Sequence, residues 1–357
     1  MKKIIVLTRY SRIGPSSRYR FYQYFPYLEK NGFEIDVYPF FKDSYTKKIL
    51  LKNKNIFSIN HFFSYWRRFI KLFIFKKYDL IWIEKELFPW IPSKIENVFL
   101  KLNIPIVIDF DDAVYHRYDQ HSNFIIRKFL SNKIKFILKN SSFVIAGNQY
   151  IANYASKSSV KNVEIIPSTI NTDKSIIKIN NSNKDNFIIG WIGSSSTSSH
   201  INEISQAIIN LCRENGTSFN AIGVDKKKLN SLPVKIIKWS EDNELKEISK
   251  FDVGIMPLPD NPWERGKCGL KLLQYMAAGL PVVASPVGIN NEIVNHGKNG
   301  FLAHSQKDWI KYLKRLKNNP VLRKKMGEES LNIVKKNYSL DFHSNKLIKI
   351  FNMLCGK

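Results

Sequence analysis

Short, mainly apolar runs, several of them apolar at every position and many bounded by turn residues, recur along this 357-residue chain and alternate with amphipathic stretches. A run apolar throughout, rather than at every second residue, suits a strand covered on both faces, as in a parallel sheet. In the first half these runs are 4–7, 33–38, 80–83, 105–109, 143–146 and 164–167; in the second they are 187–192, 219–223, 234–239, 253–256, 281–284 and 300–302. Helical stretches fit between them, such as 20–30, 243–250 and 270–278. Strands alternating with helices require right-handed crossovers, so the chain predicts an α/β protein with two doubly wound, Rossmann-like domains.

Residues 170–186, INTDKSIIKINNSNKDN, interrupt the pattern with a polar, asparagine-rich segment. This predicts a first domain over 1–170, a linker over 171–186 and a second domain over 187–340, with 341–357 as a helix able to cross back to the first domain. Two such domains facing one another set a cleft at the carboxyl ends of both sheets, where such folds take ligands. The three cysteines, Cys212, Cys268 and Cys355, have no paired spacing, which excludes a disulfide scaffold and a cysteine zinc site and fits a reducing compartment. The apolar run at 4–7 is too short for a signal-peptide core, and no run is long enough to span a membrane, so a cytoplasmic location is expected.

Charge narrows the partners. With 56 Lys+Arg against 30 Asp+Glu the formal charge is +26, which suits nucleic acid, an acidic membrane surface or a phosphate-bearing substrate. Lysine and asparagine are abundant at ordinary surface positions too, so compositional bias is an equal reading. The stretch 44–78 holds no acidic residue and nine Lys+Arg. Within it, helical spacing puts Phe62, Trp66, Phe69, Ile70 and Phe73 on one face and Arg67, Arg68 and Lys71 on another. That pattern fits either a membrane-surface helix or a helix packed on a sheet through its aromatic face. No nucleic-acid-binding motif accompanies it, so no specific nucleic acid is expected.

The motifs concentrate in the second half. In residues 254–288, GIMPLPDNPWERGKCGLKLLQYMAAGLPVVASPVG, a strand ends in a Pro/Gly loop and a helix opens near Cys268. Lys267, Lys271 and Gln274 are spaced to share one face of it; Leu270, Leu273 and Ala277 share another, which predicts core. Lysines at a helix amino terminus beside a glycine loop are what a diphosphate needs, although a solvated lysine face has the same spacing. A second loop, GWIGSSSTSSH at 190–200, lets backbone approach a phosphate closely. It is neither GxGxxG nor a Walker loop, which argues against nicotinamide cofactors and ATP. In the first half, IVIDFDDAVYHRYD at 106–119 sets Asp109, Asp111, Asp112 and His116 after a strand. They could orient a hydroxyl or a sugar, or merely cap a helix and tie a turn. The loop RYSRIGPSSRYR at 9–20 carries Arg9, Arg12, Arg18 and Arg20 around Gly14.

Taken together, PL at 257–258, GK at 266–267, LKLLQYMAAGLPVVAS at 270–285, VG at 287–288 and NG at 299–300, preceded by GWIGS, resemble the donor-binding domain of glycosyltransferase family 4, of the GT-B fold. VIAGNQYIANYA (144–155) and IIPSTIN (165–171) extend the likeness to the first half. The resemblance implies two Rossmann-like domains across a cleft. It implies a retaining enzyme that transfers a sugar from a nucleotide diphosphate sugar to a saccharide or lipid-pyrophosphate-linked acceptor, in cell-surface polysaccharide or glycolipid synthesis, with no cofactor and no essential metal. By position, Gly193, Ser194 and Ser195 would face the diphosphate, Lys267 and Lys271 would neutralise it, and Trp239 and Ser240 would lie near the base. Glu264, Arg265, Gly266 and Gln274 would also serve the donor. Asp111, Asp112 and His116 would act in catalysis, and Gly14, Arg18 and Arg20 would face the acceptor. Asp109-Phe110-Asp111 formally matches the DxD metal motif of the other major transferase fold, which the doubly wound halves argue against. The chain departs from the family's Glu-x7-Glu, with Gly266 and Gln274 at those positions, and lacks the usual Arg and Lys after the second domain's first strand. A nucleotide-sugar epimerase of the same fold, a catalytically degenerate scaffold and an anionic-polymer-binding protein are the alternatives. A lipid-linked acceptor and the basic 61–77 segment together suggest a peripheral place on the inner face of the cytoplasmic membrane.

Overall fold

The computed structural model describes residues 1–52, 59–100, 103–172, 186–229 and 231–356. The first sheet holds β1 (Lys2–Leu7), β2 (Phe33–Val37), β3 (Leu80–Glu84), β4 (Ile106–Phe110), β5 (Phe143–Ala146) and β6 (Val163–Ile165), all parallel, in the order β2-β1-β3-β4-β5-β6. The second holds β7 (Phe187–Ile192), β8 (Thr217–Ile222), β9 (Val234–Ile237), β10 (Val253–Met256), β11 (Val282–Ala284) and β12 (Gly300–Leu302), also parallel, in the order β12-β11-β10-β7-β8-β9. Each expected strand is present, with both ends within two residues of the expected ones. The apolar runs of the central strands are buried, as cover on both faces requires: Ile4 to Leu7, Leu80 to Ile83 and Val253 to Ile255 are all at or near zero exposure.

Strand order reverses between β1 and β3 in the first sheet and between β7 and β10 in the second. At such a switch the following loops diverge and leave a crevice. Gly190 and Gly254 face each other across the β7–β10 pair. A Cβ on Gly190 would lie 1.8 Å from the Phe251 ring, and one on Gly254 2.1 Å from Tyr275, so these glycines let aromatic rings lie flat on the sheet.

Two predicted helices differ in outline. The stretch 20–30 is broken into Pro15–Arg20, a 3-10 turn at Tyr22–Tyr24 and Phe25–Lys30, because Pro26 tolerates only the first turn of a helix. The helix expected near Cys268 begins later, at Leu270, with Gly269 before it at φ +67. Lys267 therefore sits in a loop rather than on a shared face with Lys271. The linker expected over 171–186 lies, apart from residues 171, 172 and 186, outside the described residues.

The chain returns to the first domain at its end. Ile170 and Ser339 pair as a parallel bridge, and the helix Leu340–Cys355 lies on the first sheet. There Leu347, Phe351 and Leu354 pack with Ile4, Val6 and Phe33, and the Phe351 ring meets Trp82 at 5.2 Å.

The helix Ile59–Leu72 is amphipathic in the opposite sense from a basic face turned to solvent. Arg68 is buried and donates from Nη2 to the carbonyls of Thr8 (2.7 Å) and Tyr38 (3.1 Å). Arg67 donates to Phe40 O, and Lys71 lies over the Tyr38 ring. These cations tie the helix to the loops after β1 and β2, while Phe62, Phe63, Trp66 and Phe73 point to solvent.

Candidate functional site

A cavity of about 250 Å³ opens where the two switch points face each other. From the first domain it is lined by Ser16, Arg18, Asp111 and Asp112, which follow β1 and β4. From the second come Gly193, Ser194 and Thr197 after β7, Trp239 after β9, Lys267, and the start of the helix Leu270–Ala277.

Lys271 lies in the first turn of that helix. Its Nζ is 3.3 Å from Thr197 Oγ1 and 4.2 Å from the centre of the Trp191 ring, and a Cβ on Gly193 would come within 3.0 Å of it. No carboxylate stands within ion-pair distance of it among the described residues. Desolvation in the cleft, reinforced by the positive charge of Lys267, brings its pKa down to about 7, with Glu264 opposing. The first-turn amides of the helix have no intrahelical acceptors and add partial positive charge at the same wall. An anion there would meet both.

Lys267 is already engaged: its Nζ is 3.0 Å from Asp112 Oδ1, across the cleft. Burial lowers its pKa, but the Asp112 charge outweighs this and the pKa rises. Asp112 in turn accepts from Lys85 at 3.0 Å, and the two lysines overcome burial to hold its carboxyl well below the usual range. Lys85 also meets Asp111 at 2.8 Å, and Asp111 accepts from Ser16 Oγ. Lys85 adopts φ +66, a conformation a non-glycine residue holds only where its surroundings enforce it. Cys268 donates its thiol to Asp111 O at 3.0 Å, and burial pushes that thiol's pKa up.

A second cluster centres on Glu244, in the helix Glu244–Ile248, a residue that sequence reasoning missed. Its Oε1 accepts from Tyr19 Oη (2.6 Å) and Gln274 Nε2 (2.7 Å). Its Oε2 accepts from Arg18 Nη2 (3.0 Å) and Trp239 Nε1 (2.5 Å). Arg18 and Tyr19 belong to the first domain, the other donors to the second, and all line the cavity. The Arg18 guanidinium also stacks over Trp239 at 4.9 Å, and its Nη1 is buried with no partner. Gln274 thus stands beside a carboxylate supplied by another helix.

The structure draws Lys271, Lys267, Asp111, Asp112, Gly193, Ser194, Trp239, Gln274 and Arg18 to this one cavity. Arg20 touches it too, but its charge is spent in a buried ion pair with Asp109 (2.8 Å) and a bond to Ile166 O. Other expected residues do not line it. Ser195 is buried and structural: its Oγ accepts from Asp225 N, and its carbonyl accepts from Lys228 and Ser198. Ser240 stays outside the lining. Gly14 is packed under Tyr10, where a Cβ would lie 2.4 Å from Tyr10 Cβ. Arg265 is pulled to the surface by Asp260 at 2.6 Å. Glu264 meets His200 Nε2 at 3.2 Å; burial raises its pKa, but that bond and Lys267 lower it further. His116 is set apart from the cavity, its Nδ1 bonded to Asp119 (2.9 Å) and its Nε2 to Tyr150 (3.0 Å). Gly266 is a domain contact: a Cβ there would lie 2.4 Å from Ala113 Cβ, and its carbonyl accepts from Asn148 Nδ2 at 3.0 Å. A glutamate at this position would collide with the first domain.

Compared with known proteins, residues 186–319 match the family model described as Glycosyl transferases group 1. Among solved structures, the chain is similar to sucrose-phosphate synthase from Thermosynechococcus elongatus (TM-score 0.76, 15% identity, 99% of each chain covered). It is also similar to HepE of Anabaena in complex with UDP (TM-score 0.73, 12% identity, 99% of this chain and 100% of that one). A third is a glycosyltransferase from Rickettsia africae (TM-score 0.68, 15% identity, 99% of this chain and 98% of that one). No curated protein matches it by sequence. The architecture is the GT-B fold, with both domains represented.

Proposed function

We propose that the protein is a glycosyltransferase that moves a sugar from a nucleotide diphosphate sugar to a saccharide or lipid-linked acceptor, with retention at the anomeric carbon. The observation that carries this reading is Lys271: a cation at a helix amino terminus, against the Gly193 loop, with no carboxylate of its own. Breaking the bond from the anomeric carbon to the diphosphate leaves negative charge on a phosphate oxygen. A fixed cation and oriented amides lower the barrier by meeting that charge as it develops. In this reading Lys271 takes the diphosphate first, and its pKa climbs as the anion arrives. Lys267 can turn from Asp112 to join it. Trp239 and Gln274 face the nucleoside, and Asp111 with Ser16 faces the acceptor from the opposite wall. A lipid-linked acceptor would place the enzyme at the cytoplasmic face of a membrane.

The HepE structures hold UDP and UDP-glucose, which makes uridine diphosphate sugars the first donors to test. The family match over 186–319 supports the class of reaction. Thermal unfolding of the chain with UDP, GDP, ADP and their sugars should show stabilisation by at least one. Lys271→Ala should abolish that stabilisation and lower turnover on the order of a hundredfold or more, the loss typical for one transition-state charge contact. Absence of any stabilising nucleotide would overturn the reading.

A further inference from the structure

The first domain carries an apolar surface that its core does not use. On the helix Ile59–Leu72 and just beyond it, Phe62 is 67% exposed, Trp66 53% and Phe73 72%. On the helix Phe124–Leu130, Phe124 is 64% exposed, Ile125 61% and Phe129 67%. The loop between β3 and the Ser93–Leu100 helix joins these elements. Tyr65 of the first helix donates to Pro89 O, and the neighbouring, part-exposed Trp90 packs on Tyr118 and His121, just ahead of the second helix. Ile95, 51% exposed, stands in the first turn of the Ser93–Leu100 helix that follows this loop. Scattered exposed apolar residues are ordinary, but large aromatic ones gathered on two helices mark a surface that something covers.

Charge identifies the occupant. Both helices lie in long stretches without a single Asp or Glu, residues 44–78 and 120–163. Of their cations Arg67, Arg68, Lys71 and Lys133 are spent within the domain, while Lys47, Lys76, Lys77, Lys128, Lys135 and Lys139 are exposed. The Lys128 ammonium lies about 6 Å from the ring centres of both Phe124 and Phe129, so a cation sits among the aromatic groups. A second copy of the chain seated on this face would bring like charges together. Aromatic side chains interleaved with lysine suit an interface that is apolar inside and anionic outside, namely a bilayer bearing acidic headgroups. We propose that this two-helix face docks the protein on an anionic lipid bilayer. The aromatic residues of both helices enter the headgroup region, while Arg67 and Arg68 serve only to hold the first helix on its domain. This inference does not depend on the donor chemistry, since it concerns a different surface.

The test is sedimentation of the full chain with vesicles of phosphatidylcholine alone, or with roughly one-third phosphatidylglycerol. The unaltered chain should bind the anionic vesicles, and only weakly the neutral ones. Phe62→Ser/Trp66→Ser and Phe124→Ser/Phe129→Ser should each cut binding about tenfold or more by removing inserted apolar area. Because all four side chains point to solvent, both variants should keep the parent's melting temperature, which is measured alongside. Equal binding by parent and both variants, equal binding to both vesicle types, or no binding at all would overturn the proposal. So would concentration-dependent self-association that the same substitutions abolish, which would make the face an interface between copies.

Discussion

On the first domain's side of the cleft, the cations are already answered by carboxylates. Lys85 sits between Asp111 and Asp112, Arg20 rests on Asp109, and deeper in the domain the fully buried Lys133 meets Glu86 and Glu96, each at 3.0 Å. On the second domain's side, Lys271 has a hydroxyl and an aromatic ring but, among the described residues, no carboxylate. The first arrangement is a scaffold: its charges neutralise one another and fix loop geometry, including the left-handed turn at Lys85. The second leaves a lysine without a carboxylate among the described residues, which is the place the proposed diphosphate would take. Two lysines near one cavity thus have opposite meanings, and what separates them is the company each keeps.

Substitution should separate them sharply. Lys85→Met strips Asp111 of its cation and leaves Asp112 with Lys267 alone, and losing one member of a buried charge network costs about 3–5 kcal/mol. Urea unfolding should show that loss. Lys271→Met should show none in the same experiment, because no partner is left behind. Equal losses from both would erase the contrast. A smaller effect concerns the contact between the walls. The cycle of Arg18→Ala, Glu244→Ala and the double variant should reveal a coupling on the order of 1–3 kcal/mol, as for residues sharing one hydrogen-bond network. A coupling near zero would mean that Glu244 serves its own domain alone. The smallest effect is in pH. Lys271 has a folded pKa of about 7 against an ordinary 10.5, so between these values the unfolded chain holds a proton that the native one has released. Native stability therefore gains as pH rises through that window. Lys271→Met should be more stable than the parent near pH 7, with its advantage fading toward pH 10.5. Solvent at the cleft mouth trims the change to about 1 kcal/mol. A constant difference across the range would show that the lysine is not desolvated.

Much of the fold could be read from the chain because its signals are local. An unbroken apolar run such as 80–83 announces a strand covered on both faces, and Gly193 and Gly269 announce the loops that bring backbone to the cavity. Lys271 was legible for the same reason: it follows a glycine at a helix start. Glu244 was not. It lies in the polar segment SEDNE, where an acid suggests solvent, and its burial comes from Arg18 and Tyr19, more than 200 positions away in the chain. The helix at 59–72 shows a different limit. Its period was plain, but period cannot say which face turns inward; the carbonyls of Thr8, Tyr38 and Phe40 decided that by recruiting the arginines. Gly266 likewise looks like a lost functional group until Ala113 is seen against it.

The Leu340–Cys355 helix has a consequence for assembly order. The sheet that begins with residue 2 keeps Trp82 and Phe33 only partly covered, by residues such as Phe21, until a segment more than 250 residues downstream arrives to lie on them. During synthesis the second domain can therefore complete its own core first, while the first waits half-finished. Contacts so distant along the chain are slow to form, and exposed apolar surface in the interval invites aggregation. The earliest-made half of the molecule is the last to become stable.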